Sequence, residues 1–301
     1  SSNTTKTISF WMKRGNLGST EGMQNIFCTT LSGYIEGRLR INTDDTLQFE
    51  DRDASGGSSD GRRKTSAKLR DTSAWYHIML VLDSTQGTEA DRAKIYINGT
   101  QATISEDRTI SENYSFSFFR SSADNYIGEG TNEGSQLDGY LAEINFIDGQ
   151  ALDPTYFGFT DGQTGIWMPK RYEGTYGTNG FYLDFNDRTS TTTLGIDKSP
   201  NGNDFTLTNL AVTDSMIDTP SNNFPTLRLM TFPPSSSSTT ITQGNLRFQT
   251  GTTGNGGGGK RTTVSTMSAK SGKWYFEVID DSEMMYGVGS NYQIRSSDSV
   301  D

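Results

Sequence analysis

Short runs of alternating apolar and polar residues, cut apart by turn residues, leave this chain few folds to choose from. In KTISFWMK, Ile8, Phe10 and Met12 recur at every second position, and Thr7, Ser9 and Lys13 point the other way. In AKIYING, Ala93, Ile95 and Ile97 alternate with Lys94, Tyr96 and Asn98. A period of two places alternate side chains on opposite faces of a strand. The second run ends in Asn98-Gly99, a favoured two-residue hairpin turn. WYHIMLVLD, residues 75–83, is apolar on both faces, as a central strand must be. GRLRIN, TLQFED, NYIGEG and GYLAEINFID extend the row, separated by Gly, Asn, Asp and Ser. No segment carries an amphipathic helix of three turns. ALDPTYFG predicts a single helical turn, capped by Asp153 with Pro154 at its first position. Many short strands between turn signals predict an all-β antiparallel sandwich.

The rest of the composition narrows the function. At 301 residues the chain is long enough for two domains. Its 32% hydrophobic content is low, but 11% aromatics supply enough buried area per residue to argue against disorder. A formal charge of −10 repels a phosphate backbone and argues against a nucleic-acid partner. No apolar run reaches the roughly 18 residues of a membrane span. No signal peptide is visible, and Ser1 already lies inside what reads as a strand, so the sequence reads as an excerpt of a longer polypeptide. One cysteine, Cys28, allows no disulfide within the chain. One histidine, His77, leaves too few soft ligands for zinc. A Ser-His-Asp triad would have to use His77, which shares a strand face with Trp75, Met79 and Val81. It is expected to be a packed or hydrogen-bonded strand residue.

The texture changes after about residue 160. The expected organisation is a first sandwich over 1–160 and a bridge over 161–212 whose strands pack on it. A Pro/Ser/Thr-rich linker follows over 213–243, and part of a second sandwich over 244–301. Strands are expected at 180–186, in NDFTLTNLAV, and later in NLRFQT, RTTVSTM and KWYFEVID, with MMYGVGSNYQI as a further one.

Three resemblances sharpen this reading. TISFWMKRG, WYHIMLVLD, AKIYINGTQ and LDGYLAEINFIDGQALDPTYFG, in that order, resemble a laminin-G-like, concanavalin A-like lectin/glucanase domain over residues 1 to about 160. The resemblance implies a jelly-roll sandwich of two antiparallel sheets. SAKSGKWYFEVIDD followed by YGVGS is similar to the opening of a SPRY domain, also a β-sandwich, of which the chain holds about half. The join, from GFYLDFND through LGIDKSPNGNDFTLTNLAVTDSMIDTPSNNFPTL, resembles a bridge in large structural proteins of marine tailed bacteriophages. That layout implies a virion fibre or appendage, an extracellular particle component. Its expected partners are other virion subunits, host-surface polysaccharide and further copies of itself. The two other expectations are a secreted β-glucanase-type polysaccharide hydrolase and a purely architectural decoration protein.

Each reading has its residues. Sandwich-fold glucanases carry two catalytic acids around an aspartate, and this chain has Glu143, Asn145 and Asp148 at those places. Retaining hydrolysis needs two carboxyl groups roughly 5–5.5 Å apart. On a regular strand Asp148 faces away from Glu143, so a bulge would be needed to bring it round. The middle acid is an amide, and the expectation is therefore no catalysis. A lectin-like site would stack a sugar on an aromatic and fix its hydroxyls with polar groups. Trp167, Tyr172 and Tyr176 with Asn179 are the candidates, against the alternative that they plug the end of the sandwich. No cofactor is expected, except that a structural calcium would use Asp44 with Asp45, or Asp51 with Asp53. Arg62, Arg63 and Lys64 form a basic cluster in 51–72, a segment expected to be a long solvated hairpin loop. Sequons begin at Asn3, Asn98 and Asn113 and matter only in a secretory host. Gly254, Gly259 and Lys260 mimic a phosphate-binding loop. However, Arg261 displaces the magnesium ligand and no helix follows, so a flexible connection with poor order at Gly256–Gly259 is expected.

Overall fold

The computed structural model describes residues 3–15, 17, 22–52, 59–130, 135–229, 239–242, 245–250, 263–268 and 271–279. The chain divides into two compact units, Ser1–Phe224 and Pro225–Asp301. The described strands of the first unit are β1 (Thr5–Arg14), β2 (Gln24–Leu31), β3 (Tyr34–Ile41), β4 (Thr46–Arg52), β5 (Ser59–Lys68), β6 (Trp75–Asp83) and β7 (Ala93–Ile97). They continue with β8 (Thr100–Gln101), β9 (Ile104–Arg108), β10 (Asp124–Ile127), β11 (Gly139–Asp148), β12 (Gly158–Thr160), β13 (Trp167–Pro169) and β14 (Phe181–Leu183). Two six-stranded sheets result, ordered β14-β11-β1-β6-β7-β8 and β10-β2-β3-β4-β5-β9, with β12 and β13 as a separate pair. All strand pairs are antiparallel, so the fold is the expected all-β sandwich.

The alternation read from the sequence decides which sides meet. Ile8, Phe10 and Met12 of β1, Ile78, Leu80 and Leu82 of β6, and Ala93 and Ile95 of β7 face Ile26, Phe27, Leu39, Ile41, Leu47 and Phe49 of the second sheet. Fully burying a side chain of this size contributes about 1.5–3 kcal/mol. The strap between β9 and β10 adds Phe116, Phe118 and Phe119 to the same core.

The outer face of the first sheet is covered as well. Phe157, Tyr172, Tyr176 and Tyr182 pack on Met79, Val81 and Ile147. This second layer explains why β6, between β1 and β7, is apolar on both sides. It also reaches the polar side of β1. Lys13, fully buried, donates from Nζ to Asp218 Oδ2 at 2.7 Å, Asn223 Oδ1 at 2.8 Å and the Phe224 carbonyl at 2.8 Å. Trp75 Nε1 and the Phe224 amide donate to the other oxygen of Asp218, at 3.1 and 2.9 Å. The expected turn at Asp153-Pro154 forms, as a 3-10 turn over Pro154–Tyr156 with the Asp153 side chain accepting from the Thr155 amide.

The Asn98-Gly99 hairpin forms with φ of 48° and 76°, both positive as a primed turn requires. Gly99 has a second reason to be glycine: a Cβ there would lie 2.5 Å from the Trp167 ring. From the other side a Cβ on Gly158 would lie 2.4 Å from the same indole. Gly158→Ala should therefore cost about 1–3 kcal/mol through overpacking. A denaturation midpoint equal to that of the wild type would show that the ring is not wedged there.

Four segments differ from expectation. Within 51–72, expected as a solvated loop, Ser59–Lys68 is strand β5, hydrogen-bonded between β4 and β9. Its charges hid a period of two: Arg62 and Lys64 face out while Gly61, Arg63 and Thr65 face in. Arg63 is buried because the carbonyls of Ala93 and Arg108 and the Glu89 carboxylate take its guanidinium hydrogens. NDFTLTNLAV forms no strand. Asp204 and Phe205 bond back to Asp197 and Gly195, and the Phe205 ring packs on Phe181 at 4.8 Å. In the second unit, 273–279 lies outside any strand, with Trp274, Tyr275 and Ile279 exposed. A strand forms only where a neighbour takes its N–H and C=O groups, and none among the described residues pairs with it.

The described part of that second unit consists of two strand pairs, β15 (Leu227–Leu229) with β18 (Thr263–Ser265), and β16 (Thr239–Thr242) with β17 (Arg247–Thr250). β15 and β16 fall in the stretch expected as linker. The glycine stretch with Gly256–Gly259, and the YGVGS and MMYGVGSNYQI segments, lie outside the described residues.

Candidate functional site

The four residues expected to hold a sugar sit in the layer over the first sheet. Tyr172 and Tyr176 are buried, edge to face at 5.1 Å, and Tyr172 stacks on Phe157 at 5.1 Å. Tyr176 Oη donates to Asn145 Oδ1 at 2.9 Å. Asn179 donates from Nδ2 to Asp148 Oδ2 at 3.0 Å. Trp167, half-buried, lies over His77 with ring centroids 5.8 Å apart. Stacking a sugar needs an open aromatic face, and the two tyrosines have none. Their bulk closes the apolar surface that β6 and β11 present on this side.

β11 does carry a bulge. Ser9 pairs with Asn145 and Trp11 with Ala142, so Glu143 and Ile144 together oppose Phe10. Glu143 takes a left-handed φ of 51°. The bulge lies before Asn145, so it leaves Asp148 on the opposite face from Asn145. The three residues then serve separate neighbours: Glu143 Oε2 accepts from Tyr182 Oη at 2.6 Å, Asn145 binds Tyr176, and Asp148 binds Asn179. Burial pushes the Glu143 carboxyl up, against the Tyr182 hydrogen bond.

His77 is a packed strand histidine. Its Nε2 lies 2.8 Å from Ser9 Oγ, and its ring faces Trp11 at 5.1 Å. Burial drives its pKa down to about 4. The carboxylates considered for calcium are engaged elsewhere. Asp44 binds Thr46 and Lys64, Asp45 binds Arg14 and Arg70, and Asp53 lies outside the described residues. Asp51 is buried and accepts from Tyr114 Oη and the amides of Ser117 and Phe118, at 2.8–3.0 Å. Burial raises its pKa to about 7 in spite of those donors. Lys6, lowered to about 8 by burial, donates to the Phe118 carbonyl, so the two residues clamp the strap from both sheets. Among the described residues, no three His, Cys, Asp or Glu side chains converge as a metal site.

The arrangement that sequence reasoning missed lies on the outer face of the second sheet. Register places Tyr126, Cys28, Arg38, Glu50, Arg62 and Arg108 in one row across all six strands. A parallel row holds Asn25, Arg40, Gln48, Lys64 and Glu106. Four guanidinium groups converge on the Glu50 carboxylate: Arg52 at 3.0 Å, Arg40 at 3.5 Å, Arg38 at 3.6 Å and Arg62 at 3.7 Å. Gln48 Nε2 donates to it at 2.9 Å. Burial would raise the Glu50 carboxyl, but Arg38, Arg40 and Arg52 outweigh it and hold the pKa below the ordinary value. Arg38, Arg40, Gln48 and Glu50 are only 5%, 7%, 4% and 2% exposed. The signal was present in the sequence. RLR at 38–40 and QFE at 48–50 alternate polar with apolar residues at strand spacing.

With this geometry in hand, the chain can be placed among known proteins. Residues 1–155 match the family model described as the Concanavalin A-like lectin/glucanases superfamily. The chain belongs to this superfamily. No curated protein matches it. Solved structures similar to it include a heptameric SAP-like pentraxin from Limulus polyphemus, with 19% identity and a TM-score of 0.34 over 50% of this chain and 65% of that one. Another is a putative carbohydrate binding protein from Bacteroides ovatus, with 18% identity and a TM-score of 0.40 over 67% of this chain and 51% of that one. A third is domain 4 of an extracellular arabinanase from Geobacillus stearothermophilus in complex with arabinotriose, with 19% identity and a TM-score of 0.37 over 52% and 65%. The chain thus spans less than two thirds of the length of each. Among the described residues no helix is long and apolar enough to cross a membrane. Within the superfamily's sandwich, the covered face belongs to the first sheet and the polar array to the second.

Proposed function

We propose that this member of the superfamily is a non-catalytic, lectin-like module that binds carbohydrate. The observation that carries the reading is the match of residues 1–155 to a superfamily of lectins and glucanases. The hydrolase alternative is disfavoured by β11, where Glu143, Asn145 and Asp148 each hold a different part of the covering layer. The larger setting, a fibre or appendage of a bacteriophage virion with the module facing host polysaccharide or a neighbouring subunit, rests on the resemblance of the bridge segment. Repetition of weak sites along such a particle would add avidity.

A glycan array probed with the intact chain tests the binding. Retention on at least one saccharide class, without release of reducing ends and unchanged in Glu143→Gln, is the expected result. Loss of every signal would remove the lectin reading. Sugar release abolished by Glu143→Gln would favour the hydrolase. Detection of the chain by mass spectrometry in purified native particles tests the virion setting, and its absence there would end that part.

A further inference from the structure

The two sheets leave a gap beside their edge strands. β8, the last strand of the first sheet, is two residues long and pairs only with Tyr96 and Ile97 of β7. The chain then crosses through Ala102 and Thr103 to β9, the last strand of the second sheet. A cavity of about 360 Å³ opens between these edges. Small side chains leave the space, since Ala90, Ala93 and Ala102 all line it. Its surface is of two kinds. Ala93 and Ile95 are buried, and Ala102 and Ile104 are half-buried against the core, which makes an apolar floor. Gln101, Thr103 and Asp107 are exposed, so the cavity is open to solvent. The side chains of these three have no hydrogen-bond or ion-pair partner among the described residues. The two cations of the lining are engaged, Arg63 with Glu89 at 2.7 Å and Lys94 with Asp91 at 2.9 Å. Asp107 is therefore the uncompensated charge of the lining.

We propose that this cavity between the edges of the two sheets is the carbohydrate site, and that it takes an uncharged sugar unit at the end of a saccharide chain. This rests on the carbohydrate-binding reading and adds to it a location and a ligand class. A sugar ring is itself two-sided, with C–H groups on its faces and hydroxyls around its rim. The C–H face lies on Ile95, Ala102 and Ile104, and the hydroxyls reach Asp107, Gln101 and Thr103. The Asp107 carboxylate has two oxygens and accepts from two neighbouring hydroxyls, in charge-assisted bonds roughly twice as strong as neutral ones. An ionised carboxylate donates nothing, so a second anion brought beside it meets repulsion. Saccharides bearing carboxylate or sulfate groups are therefore disfavoured. The volume stands near the lower end of the roughly 300–1,000 Å³ of small-molecule sites, which suits a terminal unit better than a long stretch of chain.

A concentration series of the intact chain on a glycan array of neutral and acidic saccharides tests this. The expected result is retention on neutral saccharides, with carboxylated or sulfated forms of the same chains held more weakly. Asp107→Ala should weaken neutral binding by about tenfold or more, as loss of a hydrogen bond to a charged group does, with its melting temperature unchanged. Ala102→Phe puts a ring where the sugar would lie and should abolish retention. Asp124→Ala, the same change on an exposed residue of β10 at the opposite edge of the second sheet, should leave it unchanged. The Asp107 side chain is exposed, so Asp107→Ala carries the test if Ala102→Phe fails to fold. Neutral binding indifferent to Asp107→Ala, or retention on acidic saccharides alone, would overturn the proposal and leave the lectin reading standing. Failure of every saccharide on the array would remove both.

Discussion

Asp218→Ala should lower the unfolding free energy of the first unit by about 3–5 kcal/mol, the usual cost of removing one member of a buried ion pair. The reason is the company that Asp218 keeps. Its two oxygens take the Lys13 ammonium, the Trp75 indole N–H and the Phe224 amide, with both charged side chains almost wholly out of water. Without the carboxylate, Lys13 keeps Asn223 Oδ1 and the Phe224 carbonyl but has no countercharge. Replacing both partners, as Lys13→Met with Asp218→Leu, should recover a large part of the loss, because no buried charge then remains. It should not recover all of it, since the indole and the amide lose their acceptor. Urea denaturation followed by tryptophan fluorescence reads both variants. A loss below about 1 kcal/mol for Asp218→Ala, the range of exposed pairs, would mean that water reaches this network.

The second large effect is one of pH. The single imidazole of the chain is buried and neutral, with its pKa near 4 in the folded state against an ordinary value of 6.5. The folded state resists the proton, so the unfolded state binds more protons between these two values. Stability therefore falls as pH drops from about 6.5 to about 4, and the loss stops below that window. A shift of this size corresponds to about 3 kcal/mol. Asp51, raised to about 7, acts in the opposite direction, because its burial favours the protonated form and its contribution is lost as pH rises from 3.8 to about 7. The His77 contribution is isolated by comparing wild type with His77→Phe. The stability difference between them should shift by about 3 kcal/mol in favour of the variant between pH 7 and pH 4. A direct NMR titration is sharper, since only one imidazole exists to observe. A midpoint near 6.5 would show that the ring is solvated.

How much of this was legible in the sequence depends on which side of each strand carried the information. β1, β6, β7 and β11 were readable because their inward faces are uniformly apolar. The Asn98-Gly99 and Asp153-Pro154 turns were readable because each rests on local chemistry. β5 was not, because Arg62, Arg63 and Lys64 are consecutive charges, and burial of Arg63 depends on carbonyls of β7 and β9 that are distant in sequence. Tyr172 and Tyr176 drew attention as aromatics among glycines, the texture of a binding loop. A core layer over a second face has the same texture, and only the packing separates the two. The array around Glu50 needed register. Arg38, Glu50 and Arg62 are far apart along the chain, and only strand pairing brings them into one row.

The sheet that carries this row ends in β9, whose ISEDR sequence sets Glu106, Asp107 and Arg108 on an exposed edge. Charged side chains along an open edge make it a poor template for another strand. At this edge, therefore, the backbone of a second copy finds no easy partner, and the sheet is kept from growing across β9.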